Sequence, residues 1–135
     1  MKKLLFSAVS LDIGGIENAL VNLLNYLART DKYEITLFLE KKEGIFLDKI
    51  DKKIQICVYC PNDSKVIILR KGINFIKQTI FKLKYKYKYD FSCAYATYSK
   101  PASFVARTAS KNSCLWVHSE YMQMFDNNKS KYVEF

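Results

Sequence analysis

A short apolar run, a glycine pair and an amphipathic stretch follow one another at the start of this chain, and that succession leaves few folds open. Leu4-Leu5-Phe6-Ser7-Ala8-Val9 reads as a buried strand. After Asp12-Ile13-Gly14-Gly15, the residues Ile16, Ala19, Leu20, Leu23, Leu24 and Leu27 fall on one continuous helical face. A strand, a glycine turn and a helix place backbone N–H groups and the positive end of a helix dipole at the turn, which suits a phosphate. Glycines there permit positive φ and let a ligand approach without meeting a Cβ. The same pair also serves a turn that is simply tight. The spacing differs from the dinucleotide fingerprint G-x-G-x-x-G, and no Gly-Lys-Ser/Thr follows as in a P-loop.

The alternation continues. Tyr33 to Glu40 is rich in β-branched and aromatic residues and reads as a second strand, Ile54 to Tyr59 as a third, with Pro61-Asn62-Asp63-Ser64 as a turn. Glu43 to Ile50 reads as a short helix between them. Val66 to about Tyr85 reads as a long helix whose seam of Leu69, Ile73, Ile76, Ile80 and Leu83 is expected to pack on the sheet. Phe91 to Tyr95 is a fourth strand. Ser99 as N-cap with Pro101 in the first turn opens a helix through about Thr108, Ser113 to Val117 is a fifth strand, and Asn128 to Phe135 begins another helix. Strands alternating with helices predict an α/β fold: a Rossmann-like, doubly wound parallel sheet in a single domain. Ligands of such sheets bind beyond the carboxyl ends of the strands, which here are followed by Asp12 to Glu17, Ala96 to Lys100 and His118 to Tyr121.

The 135 residues are half hydrophobic, yet no apolar run approaches the roughly 20 residues of a bilayer span. Met1-Lys2-Lys3 before the first strand is not followed by a signal-peptide pattern, so a cytoplasmic location is expected. Cys57 and Cys60 have C-x-x-C spacing, but no second ligand pair exists, because His118 is the single histidine and Cys93 and Cys114 each stand alone in apolar runs. Buried or incidental thiols, and no metal, are the expectation. The net charge of +9 is concentrated between Lys65 and Lys88, where eight basic residues and no acidic one occur. Lysines facing water account for such a run. Lys82, Lys84, Lys86 and Lys88 alternate with aliphatic and tyrosine residues, however, and suit an anionic membrane surface or a polyprenyl-phosphate acceptor. No nucleic-acid module accompanies them.

With these pieces placed, the chain resembles the N-terminal half of bacterial group 1 (family 4) glycosyltransferases of the two-domain GT-B fold. The resemblance lies in GGIENALVNLLNYLA after the first strand, YEITLFL as the second, YDFSCAYA before a helix, and SCLWVHSEY as a strand ending in histidine. It implies that residues 1–135 are the acceptor-side domain, ending before a C-terminal donor-binding domain. It implies transfer of a sugar from a nucleotide-sugar to a polysaccharide, glycolipid or polyprenyl-linked acceptor, with retention and without a metal or other cofactor; the isolated fragment is expected to be inactive. By the same resemblance Gly14 and Gly15 lie against the donor diphosphate, and His118 lies near the transferred sugar as the catalytic-site histidine or serves as a structural cap. Glu17 either contacts a ligand or favours the first helical turn, and Asp12 is a further acceptor-side candidate. Attachment at the inner face of the cell membrane accompanies a lipid-linked acceptor. Two alternatives belong to other classes: a nicotinamide-binding domain, with Glu40 on a ribose hydroxyl, and a non-catalytic membrane-docking module.

Overall fold

Alternating side chains on the two central strands decide how the domain is layered. In the computed structural model, which describes residues 1–95 and 99–118, the strands are β1 (Lys2–Ala8), β2 (Tyr33–Leu39), β3 (Gln55–Val58), β4 (Phe91–Ala94) and β5 (Ser113–Leu115). They form one sheet of order β3-β2-β1-β4-β5, parallel at every pairing. Three helices connect them: α1 (Gly15–Arg29), α2 (Ile67–Tyr85) and α3 (Lys100–Ala109). This is the expected Rossmann-like α/β fold. The chain runs from β1 outward to β3 and then returns to place β4 on the other side of β1. The carboxyl ends of β1 and β4 therefore flank the topological switch point.

Leu4, Phe6 and Ala8 of β1 and Ile35, Leu37 and Leu39 of β2 point to one face, where Leu20, Val21, Leu24 and Ala28 of α1 cover them. The buried stripe differs from the expected one. Leu20 and Leu24 are buried and Leu23 and Leu27 half-buried, but Ile16 and Ala19 are exposed, and Val21 and Ala28 take the inner positions. On the opposite face lie Leu5, Ser7, Phe38, Ser92 and Ala94, beneath α3 and the end of α2. Small residues let α3 approach closely, and the two buried serines are satisfied by it. Ser7 Oγ donates to the Ala102 carbonyl at 2.8 Å and Ser92 Oγ to the Ala106 carbonyl at 2.6 Å.

Two expectations fail here. The helix over Glu43 to Ile50 is a single 3-10 turn, Leu47–Lys49. Gly44 has φ 121°, outside any helix, and the Glu43 carbonyl and Phe46 amide are already bonded to the backbone of Leu11, at 3.0 and 3.1 Å. The second failure concerns α2. Leu69, Ile76, Ile80 and Leu83 do not pack on the sheet but lie more than half exposed, Ile73 is half-buried, and Phe81 is the one buried residue of the helix. What seats α2 is an aromatic cluster on its other side. Phe81 and Tyr85 meet Phe38 edge-on, with ring centroids 5.3 and 5.1 Å apart, and Phe81 also meets Tyr59 and Phe104. The helix expected over Asn128 to Phe135 lies outside the described residues.

Gly44 is the glycine this fold cannot replace. Its φ is left-handed, and a Cβ would collide with the Leu11 carbonyl and the Asp12 nitrogen. Gly44→Ala is expected to lower stability by about 2–4 kcal/mol in urea unfolding. Gly15→Ala, with open space where its Cβ would sit, should change stability by less than about 1 kcal/mol.

Candidate functional site

Past Ala8 the chain leaves β1 and is held at once by the segment that follows β2. Glu40 N–H donates to the Ala8 carbonyl and Lys41 N–H to the Val9 carbonyl, at 3.2 and 2.9 Å. Leu11 is fully buried and clasped between Glu43 and Phe46. This anchoring carries the chain to Asp12, whose carboxylate accepts from Ser10 Oγ at 2.8 Å, and then to the start of α1. Gly14 is the N-cap and supplies no side-chain cap; its carbonyl accepts the first helical bond from Asn18 N–H at 3.1 Å. The amino end of a 15-residue helix thus opens on the rim.

Neither glycine of the pair uses the conformational freedom the sequence suggested. Gly14 is extended at φ 179°, and Gly44 is the single glycine with positive φ. Packing touches only the first of the pair, and only through the end of a flexible side chain. A Cβ on Gly14 would collide with the Glu17 carboxylate, which folds back over the turn, whereas beside Gly15 there is empty space. Glu17 is therefore a first-turn residue that brings its own negative charge to the helix start. An anion arriving there must displace it.

The fifth strand delivers His118 to the same rim. Its Nε2 lies 3.1 Å from the Tyr95 carbonyl oxygen, so in this bond Nε2 is the donor. The imidazole sits 4.5 Å from the Tyr95 ring and nearly parallel to the Trp116 indole, at 11° and 6.2 Å. Tyr95 is itself fixed by donating its N–H to the Ser7 carbonyl at 2.8 Å, and Trp116 by donating to Ala94 at 2.9 Å. Burial pushes the Tyr95 phenol up from its ordinary pKa. The aromatic platform of Tyr95 and Trp116 was not legible as part of a site, although Trp116 lies two residues before His118 and is 48% exposed. Of the two other rim segments expected, residues 96–98 and 119–121 lie outside the described residues.

A second polar arrangement joins β2 to α3. Glu40 accepts a hydrogen bond from Ser99 Oγ, and Ser99 caps α3 as expected, accepting from Ala102 N–H at 3.1 Å. Beside it, between α2 and α3, a cleft of about 280 Å³ is lined by residues including Tyr59, Gln78, Lys100, Ser103, Phe104 and Arg107. Ser103 Oγ is buried there and, among the described residues, has no hydrogen-bond partner.

The structure separates Lys82, Lys84, Lys86 and Lys88 from this rim. They occupy the end of α2 and the turn into β4, where Tyr87 N–H donates to Thr108 and Asp90 N–H to Lys3, at 3.0 and 2.9 Å. That is the amino end of the sheet, so these lysines do not stand beside a ligand at the carboxyl rim. Their ammonium groups lie over aromatic rings instead: Lys82 over Phe104, Lys84 over Tyr85 and Lys86 over Tyr87, at 5.9, 5.1 and 5.3 Å. A hydrogen bond to Tyr85 holds the Lys84 pKa above its usual value.

All four cysteines are free: Cys93 is buried, Cys57 half-buried, and Cys60 and Cys114 exposed, with Cys93 paired in register with Cys114 across β4 and β5. Burial pushes the Cys93 thiol up to about 12, and its hydrogen bond with the Cys114 thiol adds to this. No group of three His, Cys, Asp or Glu residues among the described residues is placed to hold a metal. At pH 8, iodoacetamide is expected to modify Cys60 and Cys114 while leaving Cys93 unmodified in the folded protein, as read by peptide mass spectrometry.

No family model, no curated protein and no solved structure matches this chain.

Proposed function

We propose that this domain forms the acceptor-side wall of a GT-B glycosyltransferase, one that moves a sugar from a nucleotide-sugar to an acceptor hydroxyl with retention. The supporting observation is a convergence at one rim. The side-chain-free start of α1 follows β1, and His118 with its Tyr95–Trp116 platform follows β4 and β5, all at the switch point of a parallel sheet. In this reading the leaving diphosphate gathers negative charge beside the α1 amino end, where fixed N–H dipoles stabilise it without a metal. Gly15 offers room for close approach. His118 orients the donor sugar through its ring, since Nε2 is engaged with a backbone carbonyl. A second domain of the same enzyme selects the base and supplies most of the catalytic power, while the donor diphosphate lies against the α1 start of this one. The acceptor is a polysaccharide, glycolipid or polyprenyl-linked sugar, and the enzyme works in the cytoplasm, peripherally at the inner face of the cell membrane.

The dinucleotide alternative needs a carboxylate at the end of β2 to meet a ribose. Glu40 stands there but already accepts from Ser99 Oγ. Trp116 is the single tryptophan and reports directly on the rim. Titration with UDP- or GDP-sugars is expected to quench its fluorescence saturably, and titration with NADH is not. His118→Ala should weaken the sugar-nucleotide response. Glu17→Gln should strengthen it roughly fivefold by removing about 1 kcal/mol of repulsion at the helix start. Tight NADH binding with no response to sugar nucleotides would reverse the assignment.

A further inference from the structure

Helix α2 is built inside out relative to an ordinary surface helix. At about 100° per residue, Phe75, Ile68, Leu83, Ile76, Leu69, Ile80 and Ile73 fill an arc of about 160° that holds no charge. The arc points away from the sheet: Ile68 is 86% exposed, Leu83 80% and Phe75 71%. The opposite side is the one that packs, through Phe81, Tyr85 and the Asn74 side chain, which bonds the backbone of Asn62 at both its oxygen and its nitrogen. A contiguous water-facing apolar strip marks an interaction surface.

The charges identify what covers it. Lys71 and Lys82 border the arc on one side, and Arg70, Lys77 and Lys84 on the other. No acidic residue occurs from Lys65 to Lys88. A second copy of the same face would bring two such cationic rows together, which disfavours self-association. An apolar strip edged by cations on both sides instead fits a surface with an apolar interior and an anionic skin. No helix among the described residues is long and apolar enough to cross a membrane, so the geometry is that of a helix lying in the interface.

We propose that α2 docks this protein on anionic lipid bilayers by sinking its outward apolar face below the headgroups, while its flanking lysines and arginine bind the lipid phosphates. The inference deepens the peripheral location proposed above and rests on it, but it does not depend on sugar transfer. It also moves the contact from the Lys82–Lys88 end alone to the length of the helix. The strip lies on the face carrying α2 and α3, so a docked domain keeps the α1 face turned toward water.

The test uses the full chain with vesicles of phosphatidylcholine, with and without about 30% phosphatidylglycerol. Wild-type protein should sediment with the anionic vesicles and be largely released by about 0.5 M NaCl. A Leu69→Gln, Ile76→Gln, Leu83→Gln variant should retain its circular dichroism, because those side chains already face water, and lose at least about tenfold in partitioning. Phe75→Trp should gain a blue-shifted emission quenched by brominated lipid. If the triple variant binds as tightly as wild type, the insertion proposal falls while peripheral attachment stands. If wild type ignores every vesicle, both fall. Equal binding to neutral and anionic vesicles overturns the charge component. A wild-type dimer that the triple variant dissociates, with no vesicle binding, assigns the face to a second copy instead.

Discussion

The backbone clasp between Leu11 and the segment Glu43 to Phe46 is the constraint on which the candidate site depends. A parallel sheet presents its carboxyl ends as a row of loops, and loops are positioned only as well as something holds them. Here the loop after β1 is bonded to the loop after β2 at both the Leu11 amide and the Leu11 carbonyl. The approach is close enough to require a glycine at position 44. The start of α1 inherits its placement from this contact. Asn25 repeats the device further along α1, donating to the Lys49 carbonyl and accepting from Asp51 N–H, and so ties the helix to the same connection.

The fold was legible because its signals are local and redundant. Each strand is a compact apolar or β-branched run, and Ser99-Lys100-Pro101 announces a helix start that the structure reproduces, with the Ser99 hydroxyl on Ala102 N–H. What could not be read was direction. Periodicity showed which residues of α2 share a face, but it carries no information on which face meets the sheet. The aromatic residues Phe81 and Tyr85 decided that, because Phe38, Tyr59 and Phe104, distant in sequence, assemble to receive them. The need for glycine at position 44 is hidden for a similar reason: it comes from the backbone of Leu11, more than thirty positions earlier.

The site itself was legible in part. Gly14, Gly15, Glu17 and His118 are brought to one end of the sheet, as their positions after strands implied. The details that govern chemistry were not readable. The Glu17 carboxylate over the turn, the commitment of His118 Nε2 to Tyr95 and the engagement of Glu40 with Ser99 all depend on tertiary placement. Lys82, Lys84, Lys86 and Lys88 end up at the far edge of the sheet, away from this rim, because a crossover helix runs antiparallel to its strands.

One small pair of hydrogen bonds reaches further than its size suggests. Ser7 and Ser92, on neighbouring strands, grip carbonyls one helical turn apart on α3. Two anchors a turn apart prevent a rod both from sliding along the sheet and from rolling on it. The floor of the sheet thereby dictates the aim of Ser99 and Lys100 at the start of that rod. An alanine at either serine would be felt as misalignment at the mouth of the cleft.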